Sequence, residues 1–252
     1  MGHKIAILNQ KGGVGKTTTA INLASYLHDL GRSILVVDMD PQGNSTSGLG
    51  IDKNSLDITT YDVLIGVNNF QDATKETPSG LVVLPTNSSL AAAEIELVGE
   101  AEREIKLKKA LANSDYDYVI IDCPPALSLL TVNALAASDW VLIPVQAEYY
   151  ALEGLSQLLD VVQRVRKGVN PDLEVLGLLM TMYDNRNSLS GQVVEEVEKH
   201  FGHKMLHTVI PRNVRLAEAP SFGRTISEHD KWSKGAKAYK QLAKEVEKRV
   251  NA

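Results

Sequence analysis

Short apolar runs alternate with helix-length segments along the whole chain. Seven runs read as strands: Lys4–Leu8, Ser33–Asp38, Leu81–Pro85, Tyr118–Asp122, Trp140–Val145, Val175–Met180 and Met205–Ile210. Several are apolar at every position rather than at every second one. Strands buried on both faces of a helix-covered parallel sheet have that pattern. Between them, residues 16–30, 89–112, 127–137, 152–168, 190–201 and 233–250 read as helices. Residues 43–80 are polar and turn-rich and read as loop with short helices. The alternation predicts an α/β fold: a doubly wound, mostly parallel sheet with helices on both faces. No repeat, low-complexity tract or Pro/Gly-rich linker divides the chain, so residues 1–252 read as a single domain. In such a sheet ligands bind beyond the carboxyl ends of the strands. The loops to search follow Leu8, Asp38, Asp122, Val145, Met180 and Ile210.

Composition narrows the class without changing it. With 252 residues, 44% of them hydrophobic, the chain can bury a full core without a disulfide or metal staple. A lone cysteine, Cys123, leaves no partner for an intramolecular disulfide and points to a reducing compartment. No apolar run approaches the roughly 18 residues of a membrane-spanning helix. The N-terminus enters a strand directly, so no signal peptide is expected, and Ala6 stands where a myristoylation motif wants Ser or Thr. The formal charge is −5, unevenly spread. Residues 1–180 carry 13 Lys and Arg against 22 Asp and Glu, a net of −9; residues 181–252 carry 13 against 9, a net of +4. A basic C-terminal quarter on an acidic body is able to form one basic face.

The chemistry starts after the first strand, at Asn9-Gln10-Lys11-Gly12-Gly13-Val14-Gly15-Lys16-Thr17-Thr18. Gly12, Gly13 and Gly15 let the backbone turn tightly and aim N–H groups inward. The helix that follows adds its positive N-terminal dipole. Lys16 is placed to reach β- and γ-phosphates, and the Thr17 hydroxyl to ligate Mg²⁺. One departure stands out. The common phosphate loop, GxxxxGK[ST], has glycine where this chain has Gln10, and a second lysine, Lys11, follows.

Two further strands end in acids. Asp38-Met39-Asp40-Pro41 places two carboxylates two residues apart at a strand end. Beside a triphosphate such groups need magnesium or an attacking water to face. Asp40 is therefore the candidate to orient or deprotonate that water, and Asp38 to support the metal shell. Tyr118–Asp122 is a hydrophobic strand ending in Asp, the layout in which Asp122 holds Mg²⁺ through a water. Pro124-Pro125 gives it a stiff exit. Cys123 reads as a small buried side chain, since no base stands near it in sequence.

These motifs together resemble the ParA/Soj chromosome- and plasmid-partitioning ATPases, within the ParA/MinD group whose deviant phosphate loop carries the extra lysine. The resemblance rests on KGGVGKTTTAINLA at 11–24, VDMDPQGNSTSGLG at 37–50, IIDCPPALSLLTVNAL at 120–135, IPVQAEYYALEGL at 143–155 and IPRNVRLAEAPSFG at 210–223. It implies ATP and Mg²⁺ as cofactors, with Gly12, Gly13, Val14, Gly15, Lys16, Thr17 and Thr18 around the phosphates. Lys11 would act on the nucleotide of a partner subunit, and Gly12 would permit close approach of the two subunits. Asp40 would be needed for hydrolysis, and Pro211 and Asn213 would contact the adenine. It further implies a nucleotide switch in the cytoplasm, associated with the nucleoid. ATP closes a sandwich homodimer, the dimer holds double-stranded DNA without sequence preference, and a ParB-type centromere-binding partner stimulates hydrolysis and release.

Charge patterning gives the DNA reading some independent footing. In the last helix Tyr239, Leu242, Ala243, Val246 and Val250 share one face, and Lys234, Lys237, Lys240, Lys244 and Lys248 lie opposite. Lys244 and Lys248 are interleaved with Glu245 and Glu247 and read as solvated surface. Arg186, Arg215, Arg224, Lys231 and Lys234 are the stronger candidates for phosphate contacts, Arg215 because no glutamate adjoins it. Trp140 and Trp232 read as packing residues, and Tyr149-Tyr150 as neighbours of the dimer face. The six histidines show no metal-ligand spacing. A MinD-like membrane-positioning ATPase is the alternative, but the ending EVEKRVNA lacks the bulky apolar residues of a lipid-docking helix. A ligase or iron–sulfur reductase on the same fold is a further rival. The reductase needs cysteines this chain does not have.

Overall fold

The computed structural model describes residues 2–148, 151–184 and 186–252. Among them, eight strands form one sheet: β1 (His3–Ile7), β2 (Ile34–Asp38), β3 (Lys75–Glu76), β4 (Val82–Leu84), β5 (Tyr118–Asp122), β6 (Trp140–Gln146), β7 (Glu174–Tyr183) and β8 (Met205–Pro211). The order across the sheet is β3-β4-β2-β5-β1-β6-β7-β8, and every pairing is parallel except β3 with β4. The seven strands read from the sequence are all present within two or three residues of their expected ends. β3, a two-residue antiparallel edge, has too little sequence to carry a pattern.

Twelve helical segments cover the sheet: α1 (Lys16–Asp29), α2 (Asn44–Gly48), α3 (Thr60–Leu64), α4 (Phe70–Ala73), α5 (Leu90–Glu96), α6 (Lys106–Ala110), α7 (Leu129–Ala137), α8 (Ala151–Gly168), α9 (Ser188–Phe201), α10 (Val214–Glu218), α11 (Ile226–His229) and α12 (Lys234–Val250). The expectation of one helix over 89–112 is corrected. Glu102 sits at φ +55°, a left-handed conformation a helix cannot contain, and the segment breaks into α5, two 3-10 turns and α6. Residues 43–80 hold the expected loops and short helices.

Alternate strand residues feed two cores. Ile5, Ile7, Ile34, Val36 and Ile120 pack on one side with α1 and with Tyr239, Leu242, Ala243 and Val246 of α12. Ala6, Leu8, Leu35, Val37, Val119 and Ile121 pack on the other with residues of α3 to α9. All five α12 residues expected on the apolar face are buried. β1 is flanked by β5 and β6, so the chain winds away from it in both directions. The crevice beyond its carboxyl end is where such a sheet holds a ligand.

Candidate active site

The loop after β1 enters α1 at that crevice. Gly15 is the N-cap of α1 at φ +93°, and Gly13 sits at φ +74°. Both conformations are open to glycine and strained for other residues. A Cβ placed on Gly12, Gly13 or Gly15 would meet nothing within 4 Å, so the three backbones face open space. That space is a cleft of about 550 Å³ lined by Gly12, Gly13, Gly15, Lys16, Thr17, Thr18, Asp40, Gln42, Asn44, Pro124 and Pro125, among others. A second cleft of about 360 Å³ shares Gly15, Thr18 and Met182 with the first and runs on to Pro211, Arg212, Asn213 and Val214. The two clefts adjoin at those shared residues, and the second is the more apolar of the two.

Lys16 is 7% exposed, and its Nζ donates to the Lys11 carbonyl at 3.2 Å. Burial lowers its pKa, and the charges of Asp122, Cys123 and Asp40 oppose the shift. Lys11 itself is exposed, its side chain ion-paired with Glu148 on the loop after β6. Val14 is buried, and its carbonyl accepts a hydrogen bond from Thr181 Oγ1 at 2.8 Å, which ties the loop to β7.

β2 and β5 lie in register, so Asp38 and Asp122 end neighbouring strands side by side. Both are fully buried. Asp122 Oδ2 accepts from Thr17 Oγ1 at 2.8 Å and from Ser45 Oγ at 2.7 Å, while its Oδ1 has no hydrogen-bond partner among the described residues. Burial pushes the Asp122 carboxyl up to about 6. Burial and then the Asp122 charge push Asp38 up to about 7. Asp38, like Asp122, is buried behind the residues that line the cleft. Its Oδ2 accepts from the Thr46 amide and hydroxyl and its Oδ1 from the Asp40 amide, so the carboxylate helps order the loop that carries Asp40. Asp40 lines the cleft at 8% exposure, its Oδ1 accepting from the Gln42 amide at 3.0 Å. Asn213 Oδ1 caps α10 by accepting from the Arg215 amide at 2.9 Å, with Pro211 beside it in the apolar cleft. Cys123 is buried, and burial raises its thiol pKa, consistent with a packing role.

Several contributors were not legible as site residues. Ser45 and Thr46 stand within DPQGNST, where an acidic loop followed by hydroxyls was the available signal. Thr181 and Met182 come from the end of β7. Met182 holds a strained φ of +52° where it lines both clefts. Glu148 carried no signal, because its partner lies 137 residues away.

The basic candidates follow β7 and β8. Arg186 pairs with Asp184 at 2.9 Å. Arg215, expected to be free, pairs with Glu218 at 2.8 Å and lies 3.7 Å from Asp230, because α10 brings Glu218 round one turn later. Arg224, Lys231 and Lys234 are exposed and pair with no carboxylate among the described residues. Trp140 packs against the core, but Trp232 is 75% exposed, which corrects its reading as a packing residue. Tyr149-Tyr150 lie outside the described residues.

A parallel sheet with a glycine-rich loop at its switch point, a buried lysine beneath that loop and acids at the next two strand ends define a P-loop NTPase. Residues 2–175 match the AAA domain family. The chain is 56% identical to the sporulation initiation inhibitor protein Soj of Bacillus subtilis, over 98% of each chain. Among solved structures it resembles a Mycobacterium smegmatis protein described as cobyrinic acid a,c-diamide synthase, with bound ADP and magnesium. That likeness has a TM-score of 0.88 at 38% identity, over 100% of this chain and 96% of the other. The cell division ATPase MinD of Pyrococcus furiosus gives 0.80 at 30% identity, over 98% and 99%. The chain belongs to the Soj/ParA family of chromosome-partitioning ATPases.

Proposed function

We propose that this chain is an ATP-driven partitioning switch: its ATP-bound homodimer holds double-stranded DNA without sequence preference, and hydrolysis, stimulated by a ParB-type partner, releases it. The observation that carries the reading is the convergence of Lys16, Asp40 and three bare glycine backbones on one cleft, with Lys11 at its exposed edge. The triphosphate would lie on the amides of residues 12–18, with Lys16 against its β- and γ-phosphates and the base in the apolar cleft near Pro211 and Asn213. The residues suit magnesium: the unpartnered, buried Asp122 Oδ1 beside the Thr17 hydroxyl is a hard-oxygen donor set. Thr17 would ligate the ion and Asp122 hold its water, and the ion would neutralise charge on the phosphates. Asp40 would orient the water that attacks the γ-phosphorus, with ADP leaving. Asp38 would support the metal shell beside Asp122 and order the Asp40 loop through Thr46 and the Asp40 amide.

Lys11 would reach a partner's nucleotide, so triphosphate and dimer stabilise each other. Only contacts made in one state are able to shift that equilibrium. The basic surface of residues 181–252 would meet the duplex, doubled in the dimer. Work at the nucleoid in the cytoplasm follows from this reading. The MinD-like alternative is disfavoured because the apolar face of α12 is already buried in the core. No helix among the described residues is long and apolar enough to cross a membrane.

The test is duplex binding with ATP, ADP or no nucleotide, run beside light scattering. The expected result is a dimer and DNA binding with ATP only. A chain that stays monomeric with a non-hydrolysable ATP analogue, or grips DNA equally when empty, overturns the reading.

A further inference from the structure

The segment between β8 and α12 combines free cations with bare aromatic rings. Phe222 is 64% exposed, Trp232 75% and Val214 66%, each far outside the range of a packing residue. A chain of contacts joins the two rings into one patch. The Phe222 ring stacks on His229 at 5.1 Å, and His229 Nε2 lies 3.6 Å from Glu218. Glu218 pairs with Arg215, which also reaches Asp230. The Trp232 amide donates to Asp230 Oδ1 at 3.2 Å, and Lys231 Nζ sits 5.4 Å over the Trp232 ring.

Residues 212–240 hold seven Lys and Arg against three acids, Glu218, Glu228 and Asp230. Arg215 occupies two of those acids, which leaves Arg224, Lys231 and Lys234 without a carboxylate among the described residues, each within two positions of a ring along the chain. Cations alone would suffice for phosphates. Large apolar groups set among them have a use only if something apolar lies between the charges they meet. A duplex has that arrangement: phosphates along each strand, and sugar and base-step edges in the groove between them. A lipid surface is less well matched, because an interfacial helix offers a long continuous apolar face, and here the nearest one, on α12, is buried.

We propose that Trp232 and Phe222 are duplex-contacting residues, apolar wedges that pack into the groove while Arg224, Lys231 and Lys234 hold the flanking phosphates. This deepens the DNA-binding reading above and rests on it. Phosphate contacts set the salt dependence of binding, and ring contacts do not, so the two are separable by experiment.

The full chain with ATP and Mg²⁺ is titrated into a short labelled duplex across a salt series. Trp232→Ala is expected to weaken binding about tenfold at every salt concentration with the log–log slope unchanged, as loss of an aromatic contact does. Arg224→Ala is expected to flatten the slope by about 0.9 for one lost phosphate. Trp232→Phe should recover most of the affinity, and Phe222→Ala should behave like Trp232→Ala. ATP affinity and melting temperature, read on each variant, exclude a folding defect, since these rings bury little surface. If wild type binds and Trp232→Ala binds equally well, or loses slope, the wedge is overturned and the basic surface stands. If wild type never binds duplex, both readings fall. If Trp232→Ala loses only phosphatidylglycerol vesicles, the surface is a lipid contact and the proposal is overturned.

Discussion

At the scale of single residues, the long-range partners are what the chain does not announce. Glu245 is an example. Its spacing with Lys244 suggests a solvated helix face. In the fold its two oxygens accept from the His207 and Thr208 amides of β8 at 2.7 and 2.9 Å, and Arg249 pairs with it at 3.2 Å. β8 is the last strand of the sheet, and its register against β7 shifts between Met205 and Val209, where Glu245 serves the two amides. Burial alone would raise the Glu245 pKa, but the Thr208 and His207 hydrogen bonds and the Arg249 charge outweigh it and hold it below the usual value. A carboxylate held low in the folded state stabilises at pH above its unfolded value, near 4.3, and that stabilisation is lost as pH falls through the folded value. Glu245→Gln leaves one edge amide facing a donor. We expect it to cost about 1.5–3 kcal/mol at pH 7. The gap to wild type in denaturant melts should narrow as pH falls below the unfolded value and close once it passes the lower folded value; a gap unchanged down to full protonation contradicts the carboxylate's role. Trp232 and Glu148 were hidden for the same reason: exposure and pairing are decided by residues far along the chain. Lys16, Thr17 and Asp122 were legible because a phosphate loop and an acidic strand end are local patterns.

At the scale of elements, patterns long enough to repeat were readable and short ones were not. Four apolar residues in a row closed by an Asp, as in Ile34–Asp38 or Tyr118–Asp122, describe a doubly buried strand directly, and α12 shows four turns of one apolar face. The turns of residues 212–230 have no period to show, and their positions depend on contact with α2. Gly223, at φ +61°, packs its backbone against Gly50: a Cβ on Gly223 would lie 2.7 Å from Gly50 Cα and 3.2 Å from its N. Neither backbone is free to yield. The contact joins the loop that follows Asp40 and α2 to the segment bearing Phe222 and Arg224. Gly66 has a similar φ, +80°, with nothing within 4 Å of its Cβ position, so it isolates backbone strain from collision. Gly66→Ala should cost about 1–2 kcal/mol for the left-handed conformation alone. Gly223→Ala should cost about 1–3 kcal/mol more from overpacking. Equal losses in thermal melts of the two variants would show that the α2 contact is slack.

At the scale of the whole molecule, the proposed switch needs something that keeps a single copy from pairing before it holds a triphosphate. On the proposed reading, Lys11 has a partner in either state. In the free chain it is ion-paired with Glu148, which also accepts from Gln146. The side chains of the pair are 52% and 46% exposed, so water screens them and the tether is worth only about 0.2–1 kcal/mol. A tether that weak cannot hold Lys11 against a triphosphate, yet it opposes dimerisation whenever the two compete for the same ammonium group. Because it stabilises the single copy, removing it should favour the pair, twice over in a symmetric dimer. Glu148→Gln keeps the side chain's size and removes its charge. With a non-hydrolysable ATP analogue, we expect its dimer dissociation constant to fall by roughly two- to thirtyfold. The gain should shrink at high salt, where the wild-type tether is already screened. Sedimentation equilibrium at two salt concentrations measures both. A dimer that weakens in Glu148→Gln would mean that Glu148 serves the pair rather than the single copy, and the competition for Lys11 would be refuted.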